Sequence, residues 1–325
     1  MARKIILDVD TGIDDALAIA YALGSPELEL IGVTGTYGNV LVPTGTRNAL
    51  AILELFGRTD VPVYAGPDHA RARDGFEVLD ISKFIHGDNG IGEAVIPDAA
   101  RGVAEQSAVD FMVESVREYG DDLVIVPVGP LTTVAAAMEA DPEFAERAHI
   151  INMGGALTVP GNVTPWAEAN INQDPEAADL VFRNAADITM IGLDVTLQTL
   201  LTRAETATWE ALGTTGGDFL ATATNYYIGA YDEIAPYLGG CGLHDPLAVA
   251  VAVDPTLTTT LEINLKTDTE GETRGRTIGD ETRLNSAGKT AHVAVGVDVE
   301  RFLAEFMRRL TDLAASTPSS LGQFE

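Results

Sequence analysis

Asp8, Asp10, Asp14 and Asp15 put four carboxylates within eight residues, at the end of the apolar run Ile5-Ile6-Leu7. Asp8 and Asp10 lie two apart on an extended segment and so point to the same side of it. Thr11-Gly12 breaks the strand, and Asp14 and Asp15 open the run Ala16-Leu17-Ala18-Ile19-Ala20-Tyr21, which reads as a helix. Like charges this close repel one another. A hard divalent cation bound through oxygen is the simplest group to hold them together. First-turn acids that complement a helix dipole account for one or two of the four, Asp14 first among them, but not for the whole set. The motif therefore predicts a metal or substrate site.

Two more groups of side chains could join it. His244-Asp245-Pro246 follows the turn Gly239-Gly240-Cys241-Gly242 and precedes the helical run Leu247–Ala252. It offers a third carboxylate ligand and a proton donor, or else a His that packs or caps. Asn162, Glu168 and Asn170 supply neutral and acidic hydrogen-bonding groups suited to sugar hydroxyls, or else belong to an ordinary surface loop.

The elements that must position these residues alternate in type. Strands are expected at 4–9, 28–35, 122–128, 148–153 and 187–193, followed by helices at 14–23, 44–56, 131–139, 174–184 and 202–212. This rhythm predicts one α/β domain, residues 1–314, with a mostly parallel central sheet flanked by helices. Ligands of such sheets bind beyond the carboxyl ends of the strands, where Gly38-Asn39, Gly129-Pro130-Leu131-Thr132 and Gly154-Gly155 fall. The long connection 66–98, with Ile85-His86-Gly87-Asp88, is a candidate lid. An aromatic helix is expected at 217–238, a solvated hairpin at 267–281 and a frayed tail at 315–325.

Composition narrows the function. The 20 basic against 49 acidic residues give a formal charge of −29, which repels nucleic acid and anionic membranes. No apolar stretch approaches a membrane span. Ala2-Arg3-Lys4 leads directly into a strand, unlike a signal peptide. The one cysteine, Cys241, excludes an intrachain disulfide and fits a reducing cytoplasm. An acidic, lysine-poor surface suits concentrated salt, which screens its self-repulsion; the plainer reading is an ordinary acidic enzyme.

Together these stretches resemble the inosine-uridine preferring nucleoside hydrolases, over residues 4 to about 310. That family's Asp-x-Asp-Pro-Gly-x-Asp-Asp motif is matched by Asp8, Asp10, Gly12, Asp14 and Asp15. Gly38-Asn39, Gly129–Thr132, Met153-Gly154-Gly155, Gly161-Asn162, Glu168-x-Asn170, Asp174–Ala178, Leu193-Asp194-Val195-Thr196 and His244-Asp245-Pro246 follow in the family's order. The resemblance implies calcium-dependent hydrolysis of the N-glycosidic bond of ribonucleosides by a homodimer or homotetramer. It implies Ca²⁺ bound by Asp10, Asp15, Asp245 and the carbonyl of Val128, where Thr is usual. Asn39, Asp14, Met153, Asn162, Glu168 and Asn170 would surround the ribose. Asp10 would be the base for the attacking water and His244 the acid for the departing nucleobase. An acidic pocket stabilises a ribosyl cation as it forms, and His is suited to protonating a poor leaving group near neutrality.

The chain departs from the pattern at Thr11, where Pro is usual, and at Ala169, where an aromatic is common. Tyr227 and Tyr231, four apart on one helical face, either flank the base or pack in the core. His86 either closes over the substrate or faces solvent. Trp166 and Trp209 do not fall where a base-stacking pair is expected, so base preference stays open. Two other readings compete: a nucleoside- or sugar-binding protein without turnover, and a Mg-dependent phosphatase of the haloacid dehalogenase type built on Asp8 and Asp10. The second lacks a convincing later Lys and acidic pair. A Cys241–His244 thiol pair lacks a third orienting group.

The charge balance yields a direct test. If the surface is adapted to concentrated salt, the melting temperature rises between dilute buffer and molar KCl. An unchanged or lower value there would remove that adaptation.

Overall fold

Ile5, Leu7 and Val9 of the first strand sink into one apolar cluster and Ile6 into another, as the two-residue period of a strand buried on both faces requires. The computed structural model describes residues 2–320, and its centre is this strand, β1 (Arg3–Val9). Around it lie β2 (Leu28–Gly35), β3 (Val63–Ala65), β4 (Leu123–Pro127), β5 (His149–Met153) and β6 (Asp187–Ile191). The sheet order is β3-β2-β1-β4-β5-β6, then Ala291–Val297 and Thr258–Ile263. All neighbours pair in parallel except the last two, which are antiparallel. The fold is the single α/β domain that the alternation of elements predicts.

Strand order reverses between β1 and β4, so the loops leaving their carboxyl ends diverge and open a crevice. Asp10 follows β1 and Val128 follows β4 at that point. Helix α1 (Ile13–Leu23) is buried along nearly its whole length. The helix His244–Val253 and the amphipathic C-terminal helix Val299–Ala315 pack beside it. Phe306 is fully buried, with ring centroids 6.1 Å from both Tyr21 and Trp209. Trp209 is thus a core residue packed on the C-terminal helix, and Phe306 joins that helix to the acid-bearing one.

Several expectations need correction. The strand expected to reach residue 193 stops at Ile191, because Gly192 opens the short helix Leu193–Thr196. The aromatic helix runs Thr215–Ile234, with the Thr214 hydroxyl accepting from Gly217 N at its start and a separate 3₁₀ turn at Pro236–Leu238. The hairpin pairs Leu265–Thr267 with Thr277–Gly279 and is less solvated than expected. Arg274 ion-pairs with Glu176, and Thr267 N donates to Asp179. Fraying does not begin at 315: Thr317 is buried and accepts from Gly216 N, and Ser320 N donates to Gly213 O. Residues 321–325 of that expected tail lie outside the described residues. The helices Ala108–Tyr119 and Val299–Ala315 were not anticipated.

Replacing Phe306 by Ala removes a ring packed on all sides and should cost about 3–5 kcal/mol of stability. Thermal or denaturant unfolding measures this, and a loss below about 1 kcal/mol would mean that the aromatic cluster does not hold the C-terminal helix.

Candidate active site

Asp15 organises the turn that breaks β1. Its Oδ1 accepts from Asp10 N at 3.0 Å and its Oδ2 from Gly12 N at 2.7 Å. Asn39 Nδ2 donates to the same Oδ2 at 3.3 Å. With these bonds the loop does not need a proline at position 11. Asp10 Oδ2 accepts from Asn39 N at 2.6 Å, whereas its Oδ1 is buried with no hydrogen-bond partner among the described residues. Asp14 Oδ1 is also buried and unpartnered, and its Oδ2 accepts a long 3.4 Å bond from the Tyr227 hydroxyl. Asp245, in the first turn of its helix, brings a carboxylate oxygen to within 4.8 Å of oxygens of Asp14 and Asp15. The expected ligand set has Asp10 where this closest trio has Asp14; Asp10 lies beside the trio and repels it.

Burial, then mutual repulsion, raises the pKa of these acids. Asp14 is pushed up to about 8 by burial and by Asp15. Asp10 and Asp245 stand well above the carboxylate range for the same two reasons. Asp8, fully buried behind them, is pushed up to about 7 by burial, against the 2.7 Å hydrogen bond that it accepts from the Thr34 hydroxyl. The cavity over this cluster measures about 390 Å³, and no Lys or Arg lines it. Oxygen donors, unpartnered buried oxygens and a lining without Lys or Arg among the described residues form a set that fits a hard divalent ion.

The remaining expected residues converge on the same cavity. Glu168 caps the helix Ala169–Gln173, accepting from Asn170 N, Ile171 N and Gly155 N. Asn162 Oδ1 accepts from Ala169 N at 3.0 Å. Asn170 Nδ2 donates to Val128 O at 2.7 Å, which leaves that carbonyl a second lone pair. Asp14, Asn39, His86, Val128, Met153, Asn162, Glu168, Asn170, Tyr227, Tyr231, His244 and Asp245 all line the cavity; Asp10 and Asp15 lie beneath its wall. Trp166 stacks against Arg276 away from it. The apolar rim of Leu79, Ile81, Ile85, Ile234 and Tyr237 was not anticipated, because no polar pattern marks it.

His86 is a buried wall residue at the end of the helix Asp80–His86, not a solvent-facing loop side chain. Its Nδ1 accepts from Ile13 N at 3.1 Å, so the neutral ring carries its proton on Nε2. Burial, with a contribution from His244, pushes its pKa down to about 3. His244 is likewise held down, to about 4, by burial. Both of its nitrogens are engaged: Nε2 with the Tyr231 hydroxyl and Nδ1 with the Thr196 hydroxyl, each at 2.7 Å.

The sequence profile described as inosine-uridine preferring nucleoside hydrolase matches residues 5–304. The chain belongs to this family. It is 38% identical to probable uridine nucleosidase 2 of Arabidopsis thaliana over 325 aligned residues, 95% of this chain and 98% of that protein. It is 36% identical to the pyrimidine-specific ribonucleoside hydrolase RihA of Escherichia fergusonii, covering 95% of this chain and 99% of that one. Among solved structures, the purine-preferring ribonucleoside hydrolase from Gardnerella vaginalis superposes with a TM-score of 0.95 at 64% identity, covering 96% and 99% of the two chains. The protein is a nucleoside hydrolase, an N-ribohydrolase acting on ribonucleosides. Among the described residues, no helix is long and apolar enough to cross a membrane.

The hydrolase's buried acids make its metal-free stability depend on pH. A carboxyl whose folded pKa is raised stabilises fully below its ordinary value, 3.8, and loses that contribution as pH rises through the folded value. The lowered His86 and His244 act oppositely, but their effect fades as pH rises past 6.5. Between pH 7 and 8 the raised carboxyls dominate. In a chelating buffer the melting temperature should therefore fall across that window, and Asp14→Asn should flatten the slope. A rising melting temperature there would show that the cluster is not buried as described.

Proposed function

We propose that this hydrolase cleaves purine ribonucleosides by preference and works with one calcium ion in the carboxylate cluster. The observation that carries the metal reading is the buried group Asp10, Asp14, Asp15 and Asp245, with two buried carboxylate oxygens left unpartnered and, among the described residues, no Lys or Arg lining the cavity to neutralise them. Asp10, Asp15, Asp245 and the Val128 carbonyl would hold the ion, with Asp14 close enough to contribute. When bound, it would neutralise the cluster, orient the ribose hydroxyls and acidify the attacking water.

The chain's own residues account for the rest. Asp10, whose Oδ1 is buried without a hydrogen-bond partner among the described residues, would take the proton of the attacking water. Asn39, Asp14, Asn162, Glu168, Asn170 and Met153 line the space for the sugar, where the carboxyl groups of Asp14 and Glu168 would favour the positive charge that grows on the ribose as the bond to the base breaks. The base then fits under Tyr227, Tyr231 and His86, whose Nε2–H is a fixed donor. Tyr231 covers His244 Nε2, so the proton for the departing base comes from the Tyr231 hydroxyl, with His244 behind it. Burial raises the Tyr231 pKa, which keeps the phenol protonated before reaction. The purine preference rests on the 64% identity to a relative described as purine-preferring; the relatives described as uridine- or pyrimidine-specific are more distant.

Ribose release from inosine, adenosine, guanosine, uridine and cytidine decides the substrate. Catalytic efficiency on the purines should exceed that on the pyrimidines, and the reverse order would overturn the preference. 2′-Deoxyinosine should be slower than inosine by roughly 100-fold or more, since buried polar groups lose their partner. Elemental analysis of dialysed, active protein should find one calcium per chain. Full activity without divalent metal would refute the ion's role. Asp10→Ala should abolish turnover.

A further inference from the structure

The motif Leu193-Asp194-Val195-Thr196 forms a short helix at the carboxyl end of β6, and the reaction as described gives it no task. Thr196 is fully buried, and among the described residues its hydroxyl has one partner, His244 Nδ1, at 2.7 Å. Thr46, Thr199, Thr206 and Thr317 each donate to a carbonyl three or four residues back, the usual outlet for a threonine hydroxyl in a helix or turn. Thr196 has no such bond. If it accepted a proton from Nδ1, its own hydroxyl hydrogen would be buried without an acceptor, which carries the full desolvation penalty. If it donates to Nδ1, that hydrogen is satisfied.

We infer that Thr196 is a positioning residue that sets the tautomer of His244: Thr196 donates to Nδ1, the ring proton sits on Nε2, and Nε2 donates to the Tyr231 oxygen. The direction of the chain follows. The Tyr231 hydroxyl hydrogen cannot point back at His244, because that contact already holds the Nε2 hydrogen. It points elsewhere, and Tyr231 lines the cavity. As the Tyr231 O–H bond breaks toward the base nitrogen, that proton leaves with the base, and the Nε2–H hydrogen bond holds the negative charge left on the Tyr231 oxygen. A proton from water entering the cavity after product release restores the phenol, so His244 and Thr196 keep their own protons throughout. The opposite tautomer would turn the Tyr231 hydrogen into the His244 lone pair, away from the substrate.

The inference rests on the reading of Tyr231 as donor, and two measurements keep them apart. In the wild-type protein, ¹⁵N spectra of His244 should show the neutral Nε2–H tautomer; the Nδ1–H form would overturn the inference whatever the kinetics. Thr196→Val removes the hydroxyl at nearly constant shape and should mix the tautomers. It should lower kcat on inosine about tenfold or more, within the range of general-acid effects, with little change in KM. Its rate on a riboside with an activated leaving group such as p-nitrophenol should be nearly unchanged, and Thr196→Ser should restore kcat on inosine. Equal losses on both substrates, or failure of Ser to rescue, would make Thr196 merely structural and overturn the proposal. If Tyr231→Phe leaves inosine turnover intact, the donor reading fails, while the ¹⁵N spectrum still decides the tautomer.

Discussion

Four carboxylates held out of water within a few ångströms of one another are the constraint from which the rest of this structure follows. Each would lose free energy by staying ionised there, and burial and mutual repulsion drive their protonation upward in pH. The fold brings them together because β1 lies in the middle of a parallel sheet, at the place where strand order reverses. There a strand end, a helix N-terminus and the first turn of a distant helix can all aim into one crevice. Asp15 ties that junction together through backbone amides, so the local turn survives even though the charges oppose it.

The opposite wall of the cavity is built on a different physical basis. His86 and His244 are buried and neutral, and every hydrogen bond around them has a direction that a neighbouring donor or acceptor fixes. The Ile13 amide fixes one ring and the Thr196 hydroxyl faces the other. An electrostatically crowded sugar end and a neutral, directionally wired base end share one cavity. This division suits a reaction in which positive charge grows on one fragment and a proton must reach the other.

Much of this was legible in the sequence where the signal was local. Asp8, Asp10, Asp14 and Asp15 announce themselves by spacing, and the alternation of apolar runs with helical ones gives the parallel sheet. His244-Asp245 and the Asn162–Asn170 loop are recognisable as chemistry-bearing segments at strand ends, though nothing local shows that they meet. What stayed hidden has a common cause. The short strand Val63–Ala65 and the helix Ala108–Tyr119 are formed by packing rather than by strong patterns. The contact of Thr196 with His244 joins residues 48 positions apart, and that of Tyr231 with His244 joins two elements through a turn. The apolar rim reads as ordinary core residues until the fold turns it toward the cavity. Thr317 carries the Ser/Thr composition of a loose end, yet it is fastened by Gly216, about a hundred residues earlier.

The C-terminal helix has one more consequence. Arg309 reaches back to Glu27 with a bidentate pair across 282 residues of sequence, and Phe306 seals Tyr21 on the helix that bears Asp14 and Asp15. Tyr21 lies two turns along that helix from the acids, so the C-terminal helix grips the helix at a point remote from the site. Whatever loosens Phe306 or Arg309 would therefore shift the carboxylates without touching them.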